Sequence, residues 1–417
     1  MVTRQENDKL ARVEGEAPMG QMMREHYWLP FALSSQLVAG EPPTPVRLLG
    51  ENFVAFRDSI GRVGFLDELC PHRRASLLLG RVEPDGLRCV YHGWKVSACG
   101  DVLEAPTQAV RAEQFASRVP VTHFPVAESG GLAWVWLGHG TTPPFPDLPF
   151  SGGHEINSFW CVSRVPCNWL QGVEGTIDSS HLGLLHQTWM GQSAKIEGYG
   201  NIGLALEQPP LYETESSACG MRAAALRRQE AGGAYVRITE YFIPLVTVVP
   251  VGRGQPDDGS MFVISPVDDT HHLLFYGYFS DRPTRPPQEL GAAAPDYVAD
   301  PHDFTGMRGG RAERWGQDRE LMKAGHWTGF GRTLLEEDAA VQVSMGPLVD
   351  RSQEHLSASD AAVAHARRIL LDALSTVESG GTPPGSARSA SPVRMMNARE
   401  IFVEDGELWR DTVVARG

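Results

Sequence analysis

The chain has 417 residues, enough for two or more domains that each bury a core, and its six cysteines are too scattered for the disulfide framework of a small secreted protein. A formal net charge of -14 argues against a nucleic-acid binder, which needs clustered Lys and Arg to neutralise phosphates. The start MVTRQENDKLARVEGE lacks the apolar core of a secretion signal, and the longest apolar run, around Tyr241 to Val251, is broken by Pro244 and too short for a bilayer, so a soluble cytoplasmic protein is expected.

From Glu51 to Leu69, ENFVAFRDSIGRVGFLDEL alternates apolar and polar residues on both sides of a Ser-Ile-Gly break, the pattern of a two-stranded β-ribbon. Cys70-Pro-His72 follows directly, and Cys89-Val-Tyr-His92 comes after sixteen intervening residues. Each pair is expected at a hairpin tip. Tetrahedral zinc would satisfy the same four side chains. Against zinc, its knuckles seldom set Cys and His one and two residues apart. Gly80, Gly86 and Gly93, with Tyr91 and Trp94, suggest loops wrapping something larger. Cys99 has no second histidine at a matching offset and reads as a packed or unligated thiol.

A strand-like GLAWVWLG at Gly131 to Gly138 precedes TTPPFPDLPF, which can continue neither sheet nor helix, so the domains are expected over 1–140 and 141–417. Beyond that boundary NWLQGVEGTIDSSHLGLLH reads as helical and carries Asp178, His181 and His186. Asp178 and His181 share a helix face, whereas His181 and His186 diverge by roughly 140° on a regular helix. For both rings to meet one ion the helix must bulge or end between them, and Gly183 offers the place. Taken alone, two histidines in an apolar helix are packing or capping groups. Glu174, one turn before Asp178, either tunes that site or faces water. Strands are expected at MFVISPV and HHLLFYGYFS, and a long surface loop from Asp281 to Gly310. An amphipathic helix is expected from Asp360 to Val377, with Val363, Ala366, Leu370 and Leu374 on one face.

The CPHR and C-x-Y-H-G-W contexts resemble Rieske domains, and segments from EGEAPMGQMMREHYWLP to SMGPLVDRSQEHL resemble the phthalate-dioxygenase-type oxygenases over nearly the whole chain. That resemblance implies an α+β fold: a β-rich Rieske domain, then a mixed α/β catalytic domain with an antiparallel sheet and covering helices. It implies one two-iron, two-sulfur cluster, held by Cys70 and Cys89 on one iron and by His72 and His92 on the other. It implies one mononuclear iron(II) held by His181, His186 and a downstream carboxylate. Asp338 is the best match, with Glu336, Glu337 and Asp350 as competitors. Two histidines and one carboxylate leave positions open for dioxygen. Asp178 then bridges to a Rieske histidine of a neighbouring subunit in a homotrimer or stacked trimers. No G-x-G-x-x-G between strand and helix and no C-x4-C-x2-C run is found, so a separate NAD(P)H-dependent reductase is implied. The implied reaction is hydroxylation of a small aromatic acid with O2 in aromatic catabolism, cis-dihydroxylation first. O-demethylation is the alternative, and a non-catalytic Rieske electron carrier the rival from another class.

An anionic substrate calls for a cation. Arg222, Arg227, Arg228 and Arg237 lie on or beside expected strands, and in YVRITEYF Arg237 shares a face with Tyr235, Thr239 and Tyr241. A surface arginine on a polar face is the plain alternative. Because guanidinium meets a carboxylate with two parallel hydrogen bonds, Arg237 is expected to anchor the substrate, with Arg227 second.

Overall fold

The ribbon expected over 51–69 forms, with apolar residues buried on both of its faces: Glu51–Arg57 pairs antiparallel with Val63–Asp67, Phe53 facing Asp67 and Arg57 facing Val63. The side-chain period of two then sends its residues into two different cores. Phe53, Ala55 and Phe65 join the large core that extends into the C-terminal part, while Val54, Phe56 and Leu66 join a smaller core with Cys70, Leu77, Cys89 and Trp94. The ribbon therefore fastens the cysteine-bearing tip to the rest of the molecule. The computed structural model describes residues 2–148, 150, 157–195, 200–250, 259–280, 300–389 and 398–413.

Thr44–Leu48 completes a three-stranded sheet with the ribbon. A second sheet is built from the short strands Arg81–Glu83, Gly86–Arg88, Lys95–Val96 and Val102–Glu104. A third pairs Leu29–Leu33 and Val126–Ser129 with Leu132–Val135, the strand expected within GLAWVWLG.

The C-terminal part is one antiparallel sheet. Its spatial order is Asn157–Val165, His271–Ser280, Gly259–Asp268, Val246–Val249, Ala234–Phe242, Gly220–Arg228, Leu211–Ser217, and Arg399–Val403 also pairs with Ala234–Phe242. The helices Trp169–Ile177, Leu334–Ser344 and Ala361–Glu378 cover it. The last begins and ends within a residue of expectation, and Val363, Ala366, Leu370 and Leu374 are all buried. Of the expected loop over 281–310, residues 281–299 lie outside the described residues and 300–310 contain turns without helix or strand.

Two features depart from the sequence reading. The N-terminal helices Arg4–Ala11 and Pro18–His26 pack on Ala361–Glu378, and Leu10, Met19, Met22 and Met23 share a core with Trp169 and Ala366. By packing they belong with the C-terminal helices, although the sequence groups them within 1–140. Glu174 neither faces water nor reaches Asp178's carboxylate. It accepts from Arg351 Nε and Nη2 at 2.8 and 2.9 Å and from Arg367 Nε at 2.7 Å. Arg351 also reaches Asn7 at 3.2 Å, and Arg367 reaches Glu354. This buried cluster joins the first helix to the helices around the site.

Candidate functional site

Two loops of the same construction hold the cysteine-histidine pairs. In the first, Cys70 N–H donates to Ala75 O at 2.9 Å and Arg74 N–H donates back to Cys70 O at 2.9 Å. In the second, Cys89 N–H donates to Trp94 O at 2.8 Å and Gly93 N–H to Cys89 O at 3.0 Å. The fourth residue after each cysteine closes the turn with positive φ, +75° at Gly93 and +58° at Arg74. Glycine adopts that conformation without strain, and Arg74 adopts it while paired with Asp67 at 3.0 Å.

Both cysteines are buried and unbridged, whereas His72 and His92 are half-buried with ring centroids 4.5 Å apart. Trp94 stacks on His72 at 4.6 Å and 4° and donates its indole N–H to Thr107 at 3.3 Å. Burial pushes the Cys70 thiol up to about 11, and the adjacent Cys89 adds to this, so ionising the pair calls for a cationic centre. Two buried thiols inside and two half-buried imidazoles outside fit a two-iron cluster with one iron on each pair. Cys99 is exposed and takes no part.

The second constellation forms because the helix does end. Trp169–Ile177 is capped by Asn168, whose side chain accepts from Leu170 N–H, and it stops at Asp178. Asp178 Oδ1 accepts from Ser180 N–H at 2.7 Å, a local turn that competes with further helix. A single 3-10 turn, His181–Gly183, follows, and His186 stands just before the next helix, Gln187–Ser193, its side chain making no cap. The helix ends before His181 rather than between His181 and His186, where the sequence reading put the break. Asp178 and His181 meet across the turn, Oδ2 to Nδ1 at 3.2 Å, rather than along a helix face. Gly183 matters for closeness: a Cβ there would stand 3.2 Å from Ala205 O.

Leu334–Ser344, capped by Thr333, brings in the carboxylate. Asp338 Oδ1 lies 3.5 Å from His181 Nε2 and 3.3 Å from His186 Nε2, and the three donor atoms all fall within 4.8 Å of one another. Ligands at right angles about 2.1 Å from an ion stand about 3 Å apart, so this triad fits one metal with little adjustment. Of the competing carboxylates, Glu337 stands on the far side of His186, at Nδ1, Glu336 accepts from Arg332 N–H, and Asp350 caps a short turn and pairs with Arg4.

Charge is balanced within the site. Burial pulls the His186 imidazole down, but Asp338 and Glu337 outweigh it and hold its pKa up to about 9 without metal. Burial raises Asp338, and the two histidines bring it below the usual carboxylate range. Asp178 is likewise lowered against its burial by His181, the Ser180 N–H and the Tyr212 hydroxyl. The site has an open side: Asp178 and His181 side chains keep 23% and 22% exposure, while His186 keeps 1%.

The arginines are placed differently from expectation. Arg237 is buried on the expected face, but its Nη1 pairs with Glu400 and its Nη2 donates to Pro250 O at 2.9 Å, so its charge is already matched. Arg227, directly opposite Tyr235, donates to Gln208 O at 3.1 Å and to Ser179 O at 2.9 Å, next to Asp178. Its Nη1 is buried with no hydrogen-bond partner among the described residues. Burial, and then Arg237, pull its pKa down to about 10. Arg222 is held by Glu240 and Glu215, and Arg228 is exposed.

Sequence reasoning missed Tyr212, which donates to Asp178 Oδ1 at 3.1 Å, and Thr328, and it weighed Glu337 only as a rival metal ligand, not as the group behind His186. Nothing local marks Tyr212. Glu337 carries a signal, since it stands next to a ligand carboxylate.

Residues 27–125 match the Rieske [2Fe-2S] domain, and 135–416 match the "LigXa C-terminal domain like" family. The chain is 36% identical to the phthalate 4,5-dioxygenase oxygenase subunit of Pseudomonas putida, over 99% of this chain and 94% of that protein. It is 34% identical to the 3-chlorobenzoate-3,4-dioxygenase oxygenase subunit of Comamonas testosteroni, over 92% of each. The solved structure of Pseudomonas putida CBB5 NdmA with caffeine shares the fold with TM-score 0.60 at 17% identity, covering 94% of this chain and all of that one. No helix among the described residues is long and apolar enough to cross a membrane. The two cysteine-histidine loops, the triad behind them in sequence and these relatives together place the chain in the Rieske oxygenases, as an oxygenase subunit.

Proposed function

We propose that this subunit hydroxylates a small aromatic acid, cis-dihydroxylation being the first choice, with O2 and electrons from a separate reductase. The observation that carries this is the convergence of His181, His186 and Asp338 on one point, with Asp178 beside them on the open side. Bound there, iron(II) supplies a centre with open positions for dioxygen, and the Rieske cluster supplies single electrons. His181 and His186 present Nε2 and Asp338 presents Oδ1 to that ion.

Asp178 carries the electron path to the cluster of a neighbouring copy. Its carboxylate is oriented by Tyr212 and the Ser180 N–H yet remains reachable from outside. Apolar side chains stand exposed at both ends of such a contact. Leu79, Val90 and Tyr91 are exposed in the segments that carry the cysteine-histidine loops, and Leu184, Val341 and Met345 are exposed in the segments that carry the triad. Joining tip to triad head-to-tail closes a ring, and a homotrimer is the assembly proposed.

Arg227 is the leading anchor for the substrate's carboxylate, because it has an uncommitted buried N–H and no carboxylate partner. Arg237, held by Glu400, comes second. An anchor that binds ground and transition states alike acts on binding. Arg227→Ala should cost about 2 kcal/mol or more in apparent binding, a KM rise of about 30-fold, with turnover largely kept. Steady-state assays on aromatic acids and matched neutral ethers, with a surrogate reductase and isotopically labelled O2, test both statements. Label in hydroxylated acids is expected. Better turnover of the neutral ethers, or an unchanged KM in Arg227→Ala, would overturn the acid reading.

A further inference from the structure

The two histidines of the triad are backed by carboxylates of opposite character. Behind His181 stands Asp178, at 3.2 Å and open to solvent. Behind His186 stands Glu337, with Oε2 2.7 Å from Nδ1 and side chains 1% and 0% exposed. Glu337 and Asp338 are consecutive on Leu334–Ser344, so their side chains diverge by roughly 100°. One turn of helix thus puts a carboxylate in front of His186 and another behind it.

Glu337 is held on its other side as well. Thr328 donates its hydroxyl to Oε1, the same hydroxyl oxygen accepts from Phe330 N–H at 3.3 Å, and His326 Nδ1 lies 3.4 Å from it. With a metal ion on Nε2, Nδ1 is the ring nitrogen left to carry the proton, so His186 then donates to Glu337 Oε2 while Thr328 donates to Oε1.

We propose that Glu337 is a positioning residue for the mononuclear iron: it fixes the His186 tautomer and ring, and makes that imidazole the stronger, permanent donor of the pair. A sealed anion behind a ligand histidine raises its basicity without exchanging with solvent. His181 and Asp178 are left as the adjustable side, where electrons enter. This inference rests on iron occupying the triad, as proposed above.

The test uses the full-length oligomer with its Rieske cluster loaded, comparing wild type with Glu337→Gln and Glu337→Met. Three readouts report on the mononuclear site without turnover: iron retention against a chelator, the electron paramagnetic resonance spectrum of the ferrous nitrosyl adduct, and the Fe(III)/Fe(II) potential. Glu337→Met loses both acceptor and charge and should bind iron about 10- to 100-fold more weakly. Glu337→Gln keeps an acceptor for Nδ1–H but loses the charge. It should hold iron closer to wild type while raising the potential and altering the nitrosyl spectrum. Wild-type potential and spectrum in a folded Glu337→Gln would overturn the proposal even if Glu337→Met failed to fold. A wild-type chain that binds no iron at the triad would instead overturn the reading beneath it.

Discussion

Asp178→Ala should leave both metal centres loaded and slow oxidation of the reduced cluster, in a single turnover with substrate and O2, by about 100-fold or more. Asp178 is not one of the three donors that converge on one point, and although His181 loses the carboxylate behind its Nδ1, the longer, solvent-open contact at 3.2 Å holds that ring less tightly than Glu337 holds His186 at 2.7 Å. What is lost is the oriented carboxylate held by Ser180 N–H, Tyr212 and His181 Nδ1 on the open side. If that carboxylate serves a neighbouring copy, the defect can be complemented. Chains carrying Asp178→Ala have a good cluster and a dead acceptor side, and chains carrying Cys89→Ser have the reverse. Mixed oligomers should recover activity that neither parent shows, because a good cluster then faces a good Asp178. Unchanged cluster oxidation in Asp178→Ala, or mixed oligomers as inactive as the parents, would contradict the bridge.

The second large effect is on stability. Glu174→Ala should destabilise the chain by about 3 to 5 kcal/mol, the range for removing one partner of a buried ion pair. Arg351 and Arg367, with side chains 0% and 4% exposed, would lose the carboxylate they share. The cluster spans the first helix and the helices around the triad, so the loss should appear as lower Tm and early loss of the triad's metal. Burial raises Glu174, but Arg351 and Arg367 outweigh it and hold its pKa below the ordinary 4.5. A depressed folded pKa means the stabilisation is present above the unfolded value and is lost as pH falls through the folded one. Wild type should thus lose part of its advantage over Glu174→Ala on acidification below that range. A Tm for Glu174→Ala within a degree or two of wild type at neutral pH would show that the cluster contributes nothing net.

What the sequence made legible was local chemistry. Cys70, His72, Cys89 and His92 are spaced tightly enough to be read as ligand loops, and alternation over 51–69 announces its ribbon. That no regular helix can bring both His181 and His186 to one ion follows from helix geometry alone, but the place where the helix stops does not. It comes from Asp178 bonding its own downstream N–H, a competition that apolar spacing conceals. The long-range partners were out of reach. Glu337 finds His186 across 151 positions, Arg237 finds Glu400 across 163, and Glu174 finds Arg367 across 193. Each is a charged side chain whose type suggests solvent, until the fold supplies a buried counter-charge. The strand arginines show the same, since Arg237, paired with Glu400, and Arg227, which donates to main-chain carbonyls, look alike in a strand.

The most direct measurement is the metal and sulfide content of the protein purified and loaded without oxygen. About three irons and two acid-labile sulfides per chain are expected, as one cluster and one mononuclear ion require. Two irons and two sulfides, with nothing held by His181, His186 and Asp338, or zinc in place of iron, would contradict it.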